Sequence, residues 1–586
     1  MDHGLPSPPD PTRGRAPVRL VRRAAPGGLL PGEVEALCER LYRVRGGTEA
    51  DLSLAGLHPF TDLAGIDAAA ERLADLIQRG GSILVVGDYD ADGATGSALA
   101  VLGLRALGAA RVGYLIPSRF AFGYGLSPAV VEVAARERPD LILTVDNGMA
   151  SHAGVARANA LGIAVLITDH HLPGPAMPEA VAVVNPNRSD CPFPSKHLAG
   201  VGVVFYVLAA TRARLRGSNW FGAARPEPNL AEWLDLVALG TVADVVTLDR
   251  NNRILVEQGL RRIRAGRGRP GLRALFAVAG RDAARITARD LAFAVAPRLN
   301  AAGRLTDMSL GVECLLTEDP AQALAMAREL DRLNGERRLI EGEMKDQAED
   351  LLATLSLDGT EPPPALCLFA PGWHQGITGL LAARLRERYH RPAIAFGEAS
   401  DGSLRGSARS IEGLHIRDLI AAVDRAHPGL IERFGGHAMA AGLSLPRAGF
   451  ESFREAFVDV VRHELGETAP VRELLSDGEL PGAGLTLATA ERLRFAGPWG
   501  KGFPEPLFDG PFEVLARRVV GEKHLRLRVR APGGSPIDAI GFQLADRIAD
   551  IGPEAHLAYR LDVNDYQGQR TPQLVVEHLP SPPGAE

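Results

Sequence analysis

Cysteine is scarce: Cys38, Cys191, Cys314 and Cys367 are the only four in 586 residues, and no two form a CxxC pair. This argues against a disulfide framework and a zinc cluster, and fits a reducing cytoplasm. No run of about 18 apolar residues occurs, so no transmembrane helix is expected. The first thirty residues are rich in Pro, Arg and Gly and lack the apolar stretch of a signal peptide. They read as a disordered tail, and residues 1–48 are set aside as an N-terminal extension. An excess of positive charge is missing too: the net charge is −6, which gives no global support for nucleic-acid binding. Local basic surface is what tracks phosphates, however, and it is present. Arg261, Arg262, Arg264, Arg267, Arg269 and Arg273 crowd one stretch, and Arg526, Arg528 and Arg530 alternate with Leu525, Leu527 and Val529. Either could equally be a solvated face. With aromatics at only 5%, base stacking is expected to contribute less than phosphate contacts.

The chain is 46% hydrophobic and 23% charged, normal for a globular protein with several cores. Its length suggests roughly three to five domains. Between about residues 80 and 250, apolar runs alternate with Ala/Leu-rich helical stretches. Strands are expected at Ile83–Gly87, Arg111–Ile116, Leu141–Val145, Ala164–Thr168 and Ala182–Val184. This βαβ rhythm implies a mainly parallel, doubly wound α/β sheet. Residues 319–357 read as a long connecting helix that Asn334-Gly335 could bend. After Pro362-Pro363-Pro364 comes a smaller α/β unit, with a strand at 365–369, a helix near 378–389 and a strand at 393–396. Short alternating strands from about 470 to 580 suggest a small barrel.

Ligand-type residues cluster at the expected strand ends. Asp88, Asp90 and Asp92 fall within Gly87-Asp88-Tyr89-Asp90-Ala91-Asp92-Gly93, directly after an apolar run. Open α/β sheets place their ligands at the C-terminal ends of strands. Three acids so close repel one another and are costly to desolvate unless a cation neutralises them. An EF-hand loop would need Glu at its twelfth position, where Leu99 stands, and a helix before it. A helix cap would need only one of the aspartates. Two more strands run into Asp146-Asn147-Gly148 and Asp169-His170-His171, and a further apolar run ends at Asp244. Each could alone be an Asx turn. Neighbouring parallel strands nevertheless present their ends to one crevice, where Asp90, Asp92, Asp146, His170 and Asp244 can converge. Mixed carboxylate and imidazole ligands suit Mn²⁺ or Mg²⁺. Two such ions sharing an aspartate would make a phosphoryl-hydrolysing site.

These segments resemble the four motifs of the DHH phosphoesterase superfamily and, within it, the RecJ family of single-strand-specific exonucleases. Matching motifs are Asp88-Tyr89-Asp90-Ala91-Asp92-Gly93, Asp146-Asn147-Gly148, Asp169-His170-His171 and Gly240-Thr241-Val242-Ala243-Asp244. Residues 297–304, 405–410 and 435–442 match in order, and the resemblance spans about residues 50 to 580. It implies a DHH domain at 49–318, a connecting helix at 319–360, a DHHA1 domain at 361–465 that closes over the active site, and an OB-like barrel at 466–586. It implies two Mn²⁺ or Mg²⁺ ions, with Asp90 and Asp92 on different ions, Asp146 bridging, and His170 and Asp244 completing the set. His171 would face the scissile phosphate. Some relatives carry a histidine ligand where Val86 stands here, so Asp88 is an added candidate ligand. DNA contacts fall to Arg298, Asn300, Arg304, Ser407, Arg409, Gly435, Gly436 and His437. The Gly-Gly-His segment alone could equally be a tight turn, and Arg304 a structural ion pair. Phe503 replaces an Asn that is usual in the lead-in to the family's OB-fold.

The implied activity is 5′-to-3′ hydrolysis of single-stranded DNA to mononucleotides, in DNA repair and recombination. The implied partners are single-stranded DNA and, as candidates, a single-strand-binding protein and a helicase, with the enzyme a monomer. The alternative within the superfamily is a phosphodiesterase for short oligonucleotides or cyclic dinucleotides. Such relatives generally lack the long connector and the barrel. A non-catalytic DNA-binding scaffold would have eroded metal ligands, whereas all five are present here.

Overall fold

In a computed structural model of the chain, the described residues are 18–23, 30, 33–47, 52–355, 363–399, 401–466 and 470–580. They form two units. Residues 45–335 with 494–505 make the first, and residues 1–44, 336–493 and 506–586 the second. The earliest described strand, β1 (Val18–Arg22), belongs to the second unit.

The first unit is built on five parallel strands: β2 (Ser82–Gly87), β3 (Arg111–Leu115), β4 (Leu141–Val145), β5 (Ala164–Thr168) and β6 (Ala182–Val184). Their order is β3-β2-β4-β5-β6, with all pairs parallel. Strand β4 is buried at every residue, and β2 and β5 at all but the first, as continuous apolar runs covered on both faces require. Leu84, Val86, Ile142, Val165 and Ile167 pack on one face with Val130, Val131 and Val155 from the helices Pro128–Ala135 and His152–Ala160. Burial of each such side chain contributes about 1.5–3 kcal/mol. The order reverses around β2, so the C-terminal ends of β2, β4 and β5 open side by side.

In the second unit β7 (Leu366–Phe369), β8 (Ala393–Glu398), β9 (Leu404–Arg409), β10 (Arg433–Gly436) and β11 (Ala440–Leu445) form a mixed sheet in the order β10-β11-β9-β8-β7. Its core holds Phe396, Phe453 and Phe457 with Ile416, Ile420 and Val423. After β12 (Arg472–Ser476), the strands β13 (Phe508–Val520), β14 (His524–Arg530), β15 (Ile537–Gly541), β16 (Glu554–Tyr566) and β17 (Gln569–His578) close a barrel. On β14 the period-two expectation holds: Leu525, Leu527 and Val529 are buried and the arginines lie outside. Arg526 and Arg528 both reach Asp538, at 3.2 and 2.9 Å, and Arg530 reaches Glu513 at 3.1 Å.

Two expectations are corrected. The N-terminal extension is not uniformly a tail: β1 pairs in parallel with β12, and a helix spans Val34–Val44. Residues 1–17, 24–29, 31–32 and 48 lie outside the described residues. Strand β1 is held because Asp509, buried in the barrel, accepts from Arg22 at 2.7 and 3.0 Å, from His556 at 2.8 Å and from Ser476. Residues 494–505 pack with the first unit and not the barrel. There Leu248 N–H donates to Lys501 O at 2.7 Å, and Arg253 lies 3.7 Å from the Phe503 ring centroid. The helix Pro320–Leu355 continues through Asn334-Gly335 unbroken. Trp220 is a packing contact: its Nε1 donates to Leu107 O at 2.9 Å, under Arg225.

Asp509→Ala leaves three donors without their acceptor. It should destabilise the second unit by roughly 2–3 kcal/mol, with the half-exposed Arg22 contributing least. Scanning calorimetry should show a lower transition, and an unchanged one would contradict the staple.

Candidate active site

Each motif residue is placed by a local device. Asp90 is the N-cap of the helix Ala91–Ala106, and its Oδ1 accepts from Asp92 N and Gly93 N, both at 3.0 Å. The cap and the metal readings are therefore compatible, since Oδ2 lies outside this pair of bonds. Asp92 is buried against another helix start: Gly200 N and Val201 N, opening the helix Gly200–Gly217, donate to its two oxygens at 2.6 and 2.9 Å. A helix N-terminus favours an anion there. Asp146 sits in the left-handed region at φ 62°, a strained position that Asp tolerates better than most. Asn147 ties the strand ends beneath it, donating to Val86 O at 3.1 Å and Val145 O at 2.9 Å. Asp244 is the C-cap of the helix Leu234–Ala243 and is followed by Val245 at φ 57°. The fourth apolar run is thus a helix.

The geometry gathers these residues as expected. Asp92, His170 and Asp244 have potential ligand atoms within 4.8 Å of one another. So do Asp88, Asp90 and Asp146, and so do Asp146, His170 and His171. His170 Nε2 lies 3.0 Å from Asp146 Oδ1, 3.5 Å from Asp244 Oδ2 and 4.0 Å from Asp92 Oδ2. Asp146 is common to two groups, and Asp90 and Asp92 fall in different ones. Asp88 joins the Asp90 group.

Burial raises the carboxyls of Asp88, Asp146 and Asp244 well above their ordinary range, and neighbouring aspartates push them further. Asp92 is pushed up to about 7 by burial and Asp90, against the two helix N–H groups. Asp146 Oδ1 is buried and receives no hydrogen bond. So many desolvated oxygens fit hard divalent cations, as carboxylate-rich sites do.

Three residues of the site carried no role in the sequence reading. Asp169 is not among the grouped ligands. Its Oδ1 accepts from His170 N, His171 N and His171 Nδ1 at 2.7, 3.1 and 2.7 Å, and its Oδ2 from Met149 N at 2.9 Å. Burial pulls His171 down, but the hydrogen bond to Asp169 and the nearby carboxylates outweigh it and hold the imidazole at about 9. Tyr124 donates to Asp146 O at 3.1 Å and lies 3.2 Å from His171 Nδ1. Arg119 covers the Tyr89 ring at 4.8 Å. An acid directly before two histidines was the available signal for Asp169. Tyr124 and Arg119 stand in a loop with no pattern.

The expected DNA contacts divide. Arg298 is largely buried, pairing with Asp331 at 2.8 Å and donating to Ala294 O. Asn300 Oδ1 accepts from Ala91 N at 2.8 Å, fixing the start of the helix behind Asp90. Both have structural partners within the first unit. Arg304 is half-buried and acts electrostatically on Tyr89. In the second unit, Ser407 pairs across the sheet with Gly442, and Gly442 with Gly435, so one row carries a hydroxyl and bare backbone. Ser407 Oγ lies 3.0 Å from Thr378 Oγ1 at the start of the helix Thr378–Tyr389, and Arg409 lies alongside Gly379. Gly436 has φ 142°, and a Cβ there would meet Ala441 Cα at 2.4 Å, so only glycine fits. Gly435 and His437 are exposed beside it.

The chain matches the DHH family, N-terminal domain over residues 82–241, the DHHA1 domain over 363–467 and the RecJ OB domain over 476–578. It is 53% identical to the single-stranded-DNA-specific exonuclease RecJ of Dickeya dadantii, over 96% of this chain and 99% of that protein. The crystal structure of RecJ in complex with Mn²⁺ from Thermus thermophilus superposes with a TM-score of 0.77 at 33% identity, covering 97% of this chain and 80% of that one. The Mg²⁺ complex from the same source gives 0.70 at 31%, covering 97% and 79%.

Two outcomes follow for this site. A carboxyl raised by folding holds its proton better folded than unfolded. Its contribution is full below about pH 4, where unfolded carboxyls ionise, and for Asp92 is lost as pH rises toward about 7. Metal-free protein should therefore melt lower at about pH 8 than at about pH 6, and Mn²⁺ should raise the melting temperature more at the higher pH. An equal or smaller rise would contradict this. Second, a Cβ at Gly200 would lie 2.7 Å from Asp146 Cβ. Gly200→Ala should weaken Mn²⁺ binding by about 10–100-fold in calorimetric titration, as disturbed ligand supports do, whereas wild-type affinity would show that Asp146 can move freely.

Proposed function

The chain belongs to the RecJ family, and we infer that it is a metal-dependent exonuclease that hydrolyses single-stranded DNA from the 5′ end to mononucleotides. The observation that carries the reading is the convergence of the Asp92–His170–Asp244 and Asp88–Asp90–Asp146 groups in one crevice. Asp90, Asp92, Asp146, His170 and Asp244, with Asp88, would hold two Mn²⁺ or Mg²⁺ ions, and Asp146 would be the shared ligand. When bound, such ions supply hydroxide at neutral pH and neutralise charge on the phosphoryl group.

The chain's own residues do the rest. The helix N–H groups of Gly200 and Val201 orient Asp92 and oppose the rise that burial causes in its carboxyl, and Asp169 fixes the ring of His171. His171, its ring held by Asp169, faces a phosphoryl oxygen as charge builds there in the transition state. The Ser407–Gly442–Gly435 row, with Arg409, Gly436 and His437, offers backbone and side-chain donors to phosphates of the bound strand. Arg304 is a further phosphate contact. The barrel adds a single-strand-binding fold, which sets this chain apart from phosphodiesterases of very short oligonucleotides.

Single-stranded DNA is the substrate, in repair and recombination, and a helicase and single-strand-binding protein are the partners that would supply it. Among the described residues no helix is long and apolar enough to cross a membrane. We place the enzyme in the cytoplasm as a monomer.

Single-stranded DNA labelled at either end tests the reading. The 5′ label should be released first as mononucleotide with Mn²⁺ or Mg²⁺, and not with EDTA or in Asp146→Ala. Activity confined to dinucleotides would favour the short-oligonucleotide alternative. His171→Ala should lower kcat by roughly 10²–10³, the scale of one lost transition-state donor, with KM little changed. A rise in KM at constant kcat would instead make His171 a ground-state binder.

A further inference from the structure

Residues 257–293 of the first unit hold nine arginines against three acids, on a chain whose net charge is −6. Folding brings much of this stretch into one neighbourhood. Arg264, at the end of the helix Arg250–Arg264, donates from Nε to Ile286 O at 2.8 Å, beside the turn Ala283–Arg285. Arg281 lies 3.6 Å from Asp290, next to Arg289 in sequence. Part of the charge is used internally: Glu257 takes Arg261 and Arg264, and buried Arg269 binds Glu318 and two carbonyls. Arg261, Arg267, Arg273, Arg281, Arg285 and Arg289 are exposed, and the acids beside them are Glu257, Asp290, Asp282 and Glu505. The arginines outnumber these acids.

Aromatic rings are interleaved with these cations. Arg289 lies 5.9 Å from the Phe293 ring centroid, and Arg264 lies 5.2 Å from that of Phe495. Phe495 belongs to the segment 494–505 that packs with this unit, and Glu505 of the same segment is 3.4 Å from Arg289. Phe293 is 76% exposed on a π-helical turn, Leu291–Val295, whose Leu291, Ala294 and Val295 are buried. Such turns are rare and gather at functional sites. This one turns a large ring outward while its neighbours anchor the backbone. It leads into the helix Ala296–Leu305, whose Asn300 fixes the backbone at Ala91 beside Asp90. Phe293 and Asn300 are therefore on the order of 10 Å apart along the helix axis.

We propose that this Arg–Phe face of the first unit is a further contact surface for the DNA strand. Its guanidinium groups hold phosphates and Phe293 stacks on a base some nucleotides away from the scissile bond. The inference rests on the exonuclease reading. Phosphate contacts alone would serve a duplex equally well. A projecting ring flanked by cations selects unpaired bases, whose faces are open. An acidic protein would use the arginines but has no need of the ring.

The test uses full-length protein. Fluorescence anisotropy in EDTA would measure binding of an oligothymidylate of about 20 nucleotides, longer than one OB-fold occupies. Hydrolysis of one of about four nucleotides with Mn²⁺ would report the metal centre separately. Phe293→Leu keeps an apolar side chain but removes the stacking face. It should weaken binding of the long strand by about 5–100-fold, the span for loss of one stacked base. Arg285→Ala with Arg289→Ala should weaken it and flatten its salt dependence by about two phosphate contacts. Short-strand hydrolysis and melting temperature should stay as in wild type. Wild-type affinity for the long strand in both variants would overturn the proposal, including the case where they lose only binding to polyglutamate. Failure of wild-type protein to hydrolyse the short strand would strike the exonuclease reading instead, while anisotropy would still decide the surface.

Discussion

Mutual repulsion among buried carboxylates is the constraint around which the first unit is organised. Asp88, Asp92, Asp146 and Asp244 are all driven toward their neutral forms by burial and by one another. A fold selected only for stability would have placed apolar residues or cationic partners here. This one instead adds supports that hold the acids in place: a helix N-terminus on Asp92, a left-handed backbone at Asp146, an asparagine strut between strand ends and an aspartate behind the histidines. The strain is relieved when divalent cations take up the charge, and the same charge balance makes the site fit for phosphoryl chemistry.

The parallel sheet makes this arrangement possible. Strands β2, β4 and β5 end side by side, so residues more than fifty positions apart in sequence meet in one crevice. The helices Gly200–Gly217 and Leu234–Ala243 then bring their ends to the same place, one with N–H groups and the other with Asp244. Their placement depends on the apolar packing beneath. Chemistry at the strand ends and stability in the layers below thus fall to different residues.

Much of this was legible in the sequence because it follows local rules. Apolar runs bounded by turn residues placed β4, β5 and β6 to the residue, and the acids that follow the runs of β2, β4 and β5 marked the crevice. The candidate acidic ligands could be read because acids at strand ends have few structural reasons to recur. What escaped depended on distant partners. Strand β1 exists because β12, some 450 positions away, accepts it, and nothing within residues 18–22 says so. Arg298 and Asn300 read as phosphate contacts by type, and their partners Asp331 and the Ala91 amide are supplied only by the fold. Residues 494–505 sit beside the barrel in sequence but pack with the first unit through Leu248 and Arg253. Polar side chains with one local and one distant option cannot be assigned from neighbours alone.

The central claim is that two ions share this crevice through Asp146. An electron paramagnetic resonance titration of metal-free protein with Mn²⁺ tests it most directly, since the sharp signal of free Mn²⁺ disappears on binding and two nearby ions couple. The account predicts that two equivalents are taken up before free signal grows, with coupling between them that Asp146→Asn abolishes. Uptake of a single uncoupled ion by the wild-type protein would contradict it.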